Sequence, residues 1–73
     1  MNYLYIPIED MPFGKERRAV IMKAFQDTED AAYAVNCKWR PQLKDDPDLR
    51  KLVKTGKLLR LRTINRTYLV LNR

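Results

Sequence analysis

The sequence predicts a small α+β domain with a short opening strand, about three helices and a basic C-terminal β-hairpin. Three observations carry that prediction. From Lys15 onward apolar residues recur at three- and four-residue spacing, a helical period. The segment opening Asp46-Pro47-Asp48 has the full punctuation of a helix. After Gly56 the period drops to two and keeps that value almost to the C-terminus. With 73 residues the chain makes one domain, 1–73, and buries a small core.

Each element has its own local reason. Tyr3, Tyr5 and Ile6 form a β-prone opening, closed by Pro7 and then by Pro12-Phe13-Gly14. Ala19, Val20, Ile21, Ala24, Phe25 and Thr28 share a helical spacing, which predicts a helix over 15–26. Thr28 before Glu29-Asp30 resembles a new N-cap with acids in the first turn, so a second helix is expected over 28–36. Ala31, Ala32 and Val35 would be its apolar stripe. The stretch 36–45 has no clean period and is expected as a loop. Its Trp39 should pack onto the core and its Cys37 should act as a small buried hydrophobe.

A third helix is expected over 47–55. Asp46 is its N-cap, Pro47 suits the first helical position, and Asp48 complements the dipole. Leu49, Leu52 and Val53 make its buried face, and Gly56 supplies a left-handed stop. Beyond it Leu59, Leu61 and Thr63 alternate with Leu58, Arg60 and Arg62. Residues 67–71 make the return strand, with Ile64-Asn65-Arg66 as the turn. The outgoing strand therefore has an apolar face and a face with two arginines.

Charge is distributed unevenly. All nine acids lie before Leu49, whereas Arg50, Lys51, Lys54, Lys57, Arg60, Arg62, Arg66 and Arg73 follow it without an interposed acid. The formal net charge of +6 is thus about +8 on the last third and about −2 on the rest. A one-signed field of this density attracts phosphate backbones or an acidic protein surface. The first seven of these cations, Arg50 to Arg66, are the candidate contacts. For Arg60 or Arg62 alone, an ordinary charged solvent face is the simpler account.

Composition also narrows the chemistry. Histidine and serine are absent, and the remaining threonines, carboxylates and Cys37 are not spaced as a catalytic set. No enzyme activity, metal or cofactor is expected. A single cysteine permits neither an internal disulfide nor a zinc cluster. The apolar opening lacks a charged n-region and meets Pro7 and Glu9 too soon for a signal peptide. No apolar run has the length of a membrane span. A soluble, intracellular monomer is expected.

A second surface is suggested near the N-terminus. Tyr3, Tyr5, Met11 and Phe13 crowd together with Pro7 and Pro12 beside Arg17-Arg18. These residue types are enriched at protein interfaces. The competing account packs Tyr3 and Tyr5 against the helices as core.

Helix, helix, capped helix and basic hairpin is the order of a winged helix-turn-helix, with the opening strand as a third strand of the wing sheet. Helix 47–55 would then lie in a major groove while Arg60, Arg62 and Arg66 neutralise phosphates. Yet that helix lacks Asn or Gln to read adenine, and Asp45, Asp46 and Asp48 would repel phosphates at its start. Three functional classes remain open. They are a module docking on a nucleic-acid machine, a free winged-helix DNA-binding regulator, and an assembly protein fitted to an acidic partner.

Taken from Met1-Asn-Tyr-Leu-Tyr-Ile-Pro-Ile-Glu-Asp to Asn65-Arg-Thr-Tyr-Leu-Val-Leu-Asn-Arg73, the whole chain resembles the small host-RNA-polymerase-binding transcription regulators of the Xanthomonas phage Xp10 type. The likeness rests on overall sequence rather than on a short motif. It implies a protein acting in the cytoplasm of the bacterial host, bound to the N-terminal region of the polymerase β′ subunit near the RNA exit channel. It also implies inhibition of σ70-dependent initiation through σ displacement, and suppression of intrinsic termination. The likeness supplies no motif that carries contact residues over one by one, so on residue chemistry alone Tyr3, Tyr5, Met11, Phe13, Arg17 and Arg18 become the candidates for contact with polymerase. The seven cations from Arg50 to Arg66 become candidates for nascent RNA or an acidic polymerase surface.

Overall fold

The computed structural model describes residues 2–6, 8, 10–28, 31–34 and 45–73. Six elements follow in chain order: β1 (Asn2–Tyr3), α1 (Lys15–Asp27), β2 (Ala31–Ala34), α2 (Pro47–Lys54), β3 (Leu58–Arg62) and β4 (Thr67–Leu71). The strands form one mixed sheet in the order β1-β2-β4-β3. β1 runs parallel to β2, and the other neighbours are antiparallel. Two helices, not three, are present among the described residues. Residues 36–44 of the expected loop, with Cys37, Trp39 and Pro41, lie outside them.

The missing helix is the main departure from expectation. Thr28 adopts an extended conformation, φ −125° and ψ 102°, and ends α1 instead of capping a new helix. Residues 31–34 then enter the sheet as β2. Alanine favours helices intrinsically, but tertiary packing overrides that preference here. β2 is buried along its whole length between β1 and β4. Ala32 and Ala34 share a face with Tyr3 and Tyr68, their partners across the ladder, whose rings stack on one another. A strand covered on both faces has no alternation to betray it. The opening strand is likewise not the hairpin's neighbour, because β2 takes that place and β1 pairs beyond it.

The core fills the space between the sheet and the helices. Ile21 and Phe25 of α1, Leu49 and Leu52 of α2, Tyr33, Leu58 and Leu69 of the sheet, and Ile6 and Ile8 of the opening segment form one buried cluster. The opening segment alternates, with Ile6 inside and Tyr3 and Tyr5 outside. Its backbone extends the parallel pairing through a hydrogen bond from the Leu4 amide to the Ala32 carbonyl, 3.0 Å.

α2 is built as its sequence implies. The Asp46 carboxylate accepts from the amides of Asp48 and Leu49 at 3.0 and 3.1 Å, and Pro47 occupies the first turn. At the far end the Gly56 amide donates to the Val53 carbonyl and the Lys57 amide to the Leu52 carbonyl. Those two bonds are the Schellman pattern, and Gly56 meets its requirement with φ 82°. The hairpin is closed by Thr63. Its amide and hydroxyl both donate to the Arg66 carbonyl, and its hydroxyl oxygen accepts from the Arg66 amide.

The inward line of α1 runs Arg17, Ile21, Phe25, so an arginine occupies the first buried turn. Arg17 is only 5% exposed. Its guanidinium donates to both Asp46 oxygens at 2.7 and 2.8 Å, and to Asp48 at 3.0 Å. The same guanidinium lies 4.8 Å from the centre of the Phe13 ring, within cation–π range. Asp48 also accepts from Arg18 at 3.0 Å and from the Gly14 amide at 3.2 Å. Gly14 is the N-cap of α1 and has φ 144°, a conformation open to glycine. Asp46 therefore caps α2, Asp48 binds the Gly14 amide where α1 begins, and together they hold the arginines of α1.

Breaking a buried ion pair by removing one partner costs about 3 kcal/mol or more, a large share of a small domain's stability. Arg17→Met should therefore move the urea midpoint far down. Arg18→Met should cost about 1 kcal/mol or less, because that side chain is 26% exposed. Equal losses from the two substitutions would contradict a buried lock centred on Arg17.

Burial alone would raise the Asp48 carboxyl, but hydrogen bonds from Arg17, Gly14 and Arg18 outweigh it and hold the group below its ordinary value. The unfolded chain then takes up that proton first as pH falls. The stability contributed by Asp48 is complete above the unfolded value of about 3.9 and is lost as pH drops through the folded value. The melting temperature should stay flat from neutrality to about pH 5 and fall below about pH 4. Asp48→Asn should flatten that acid limb, and an unchanged limb would assign acid sensitivity to other carboxylates.

Candidate functional site

The capped ends of α2 set its position, and the turn closed by the Gly56 and Lys57 amides leads the chain directly into β3. α2 and β3 thus become two walls of one open groove. Pro47, Arg50, Lys51, Val53, Lys54, Thr55 and Arg60 line it, and its volume is about 910 Å³. Four of these seven residues are cationic and none is acidic. Among the described residues no carboxylate lies within ion-pair distance of Lys51, Lys54, Lys57, Arg60 or Arg62.

The acids expected at the start of α2 are mostly withdrawn from this surface. Asp46 and Asp48 are each 1% exposed and engaged by Arg17 and Arg18, leaving only Asp45 in solvent. Their repulsion of an approaching phosphate is neutralised inside the fold. The same burial packs the N-terminus of α2 against α1, so its first residues are not offered to a groove of DNA.

The seven candidate cations do not form one surface. Arg50, Lys51, Lys54 and Arg60 meet in the groove, and Arg62 follows Arg60 on the same face of β3. Lys57 is exposed at the turn between α2 and β3. Arg66 belongs to the opposite face of the sheet, where its guanidinium donates to the Tyr3 hydroxyl at 3.2 Å and lies 5.7 Å from that ring's centre.

The N-terminal candidates also separate. Tyr3 is 59% exposed and stacks with Tyr68, with ring centres 6.2 Å apart. The hydrogen bond between their hydroxyls pushes the Tyr68 phenol above its ordinary value. Tyr5 and Phe13 are exposed, while Met11 is half-buried against the core. Packing Tyr3 and Tyr5 as core is thereby overturned. Arg17 is the clearest departure in this set. It lies inside the fold, and the Asp46 hydrogen bonds hold its guanidinium above an already high value against the opposing effect of burial. Arg18 is half-buried with Asp48. Both arginines are occupied in joining the helices.

One surface was not anticipated. Register places Leu59 opposite Val70 and Leu61 opposite Tyr68, so these four share the sheet face that carries Tyr3 and Arg66. Leu59 and Leu61 are 42% and 46% exposed. Only Leu58, of opposite parity, reaches the core. Beyond Leu58 the strand outruns the helical layer, and Arg60 and Arg62 occupy the side toward the helices. The alternation in the sequence is correct, but its apolar set faces away from the helices.

Among the described residues no group of carboxylates or other ligands is placed to hold a metal ion, and no helix is long and apolar enough to cross a membrane. Comparison with protein families, with curated proteins and with solved structures found no match to this chain.

The groove makes a quantitative prediction. If it tracks a phosphate backbone, Lys51→Ala with Lys54→Ala should reduce the salt slope of single-stranded oligonucleotide binding by roughly 1.4. Both side chains are exposed, so stability should change by no more than about 0.5 kcal/mol. An unchanged slope would return both lysines to an ordinary solvated face.

Proposed function

We propose that this chain is a phage-type transcription regulator that docks on bacterial RNA polymerase in the host cytoplasm. In this reading it engages the N-terminal region of β′ near the RNA exit channel, promotes σ displacement at σ70-type promoters and suppresses intrinsic termination. The polymerase assignment draws on the sequence resemblance. The structural observation that carries it is the one-signed groove of Arg50, Lys51, Lys54 and Arg60, suited to nascent RNA or an acidic polymerase surface. Tyr3, Tyr5 and Phe13, exposed elsewhere on the molecule, supply aromatic contacts of the kind that anchor protein interfaces.

A winged-helix DNA-binding regulator is the second reading. The succession of a capped basic helix and a basic hairpin, with a further antiparallel strand beside it, favours that reading. Burial of the α2 N-terminus and the strand at 31–34 weigh against it.

Size-exclusion chromatography with host polymerase, as core and as σ-containing holoenzyme without DNA, separates the two. Co-elution is expected, with σ lost from the holoenzyme, and Tyr3→Ala with Tyr5→Ala should weaken it while preserving the fold. Failure of the folded protein to bind either form would overturn the polymerase reading. Sequence-specific duplex binding with a steep salt slope in the absence of polymerase would establish the alternative.

A further inference from the structure

β3 is an edge strand, since the sheet order ends on it and no strand pairs with its outer side among the described residues. The direction of its free backbone groups follows from the hairpin. The Thr63 amide donates to the Arg66 carbonyl at 2.8 Å, and the Asn72 amide donates to the Lys57 carbonyl at 3.2 Å. Hydrogen-bonded pairs alternate along an antiparallel ladder, so Leu59 and Leu61 also direct their amides and carbonyls toward β4. Arg60 and Arg62 therefore direct theirs outward, to the open edge.

The side chains flanking that edge are sorted by chemistry. On one side stand Leu59 and Leu61, each more than two-fifths exposed, with Ile64 fully exposed at the hairpin tip. On the other stand Arg60 and Arg62, without a carboxylate partner among the described residues. Arginines alone are a common guard against edge pairing. Half-exposed leucines on the other face are not explained by that role, because they make the edge more adhesive. Pairing with a second copy along this edge would bring arginines against arginines, which disfavours self-association.

We propose that β3 is a docking edge that accepts a fifth strand from a partner protein, one in which apolar and acidic residues alternate. The partner's apolar residues extend the Leu59–Leu61 face, and its acids meet Arg60 and Arg62. Main-chain bonds to Arg60 and Arg62 supply affinity, and the two-sided chemistry sets register. This inference is independent of the polymerase reading and is tested without polymerase.

The probe is a short blocked peptide of alternating valine and glutamate, titrated into isotopically labelled protein and followed by NMR. Shift changes are expected across residues 58–62, with slowed hydrogen exchange at the Arg60 and Arg62 amides. A peptide of the same composition with its valines and glutamates in separate blocks should bind about tenfold more weakly or worse. Arg60→Glu with Arg62→Glu should weaken the alternating peptide about tenfold or more. Both side chains are exposed, and Arg60→Gln with Arg62→Gln gives a milder check should the reversal disturb the fold. Equal binding of the two peptides, shifts confined to α2, or unprotected Arg60 and Arg62 amides would overturn the proposal. So would binding at these amides by a single-stranded oligonucleotide but not by the peptide.

Discussion

The architecture depends on one guanidinium. Arg17 reaches from α1 to the start of α2 and holds two carboxylates, one of which, Asp46, is the N-cap of that helix. Burying a charge is unfavourable unless it is paired and hydrogen-bonded, and here the guanidinium makes three hydrogen bonds to Asp46 and Asp48 and lies against the Phe13 ring. The Nε atom alone finds no partner. Such a cluster adds less to stability than its bond count suggests, since an apolar replacement of the whole set can be neutral. What it does supply is geometry. Bidentate bonds from a rigid fork allow one relative placement of the two helices.

That placement has an electrostatic consequence. Asp46 and Asp48, which immediately precede the basic third of the chain, are engaged within the fold by arginines from its acidic part. A sequence with mixed signs around residues 45–51 becomes a surface whose exposed charges within α2 are cationic, with Asp45 the one exposed acid of that stretch. The groove against β3 is cationic because its neutralising carboxylates face the other way. Internal pairing and external field are thus two results of the same contacts.

The parts legible in the sequence are those whose signal is local. α2 could be read from both ends because its caps are side-chain and glycine devices within a few residues of each terminus. The hairpin was legible because period two persists beyond Gly56. Residues 31–34 were not, since alanines and a tyrosine carry no strand periodicity when both faces are covered. Their state is decided by β1 and β4, which lie far away in sequence. Arg17 and Arg18 were read as surface cations for a related reason. Nothing near them in sequence announces that Asp46 and Asp48, about thirty residues on, will bury one and half-bury the other.

β3 shows how parity can be right while direction is open. The sequence distinguishes the Leu59–Leu61 face from the Arg60–Arg62 face, but hydrophobicity alone would turn the leucines inward. Leu58 decides otherwise. It follows α2 after a tight Schellman turn, so it is the residue delivered to the core, and alternation then commits Arg60 and Arg62 to the helix side. The short connection overrides the preference of two leucines because turning the strand over would expose Leu58 and lose its pairing with Leu71. An apolar face left outward by such a constraint, rather than by its own composition, is available to a partner without any rearrangement of the domain.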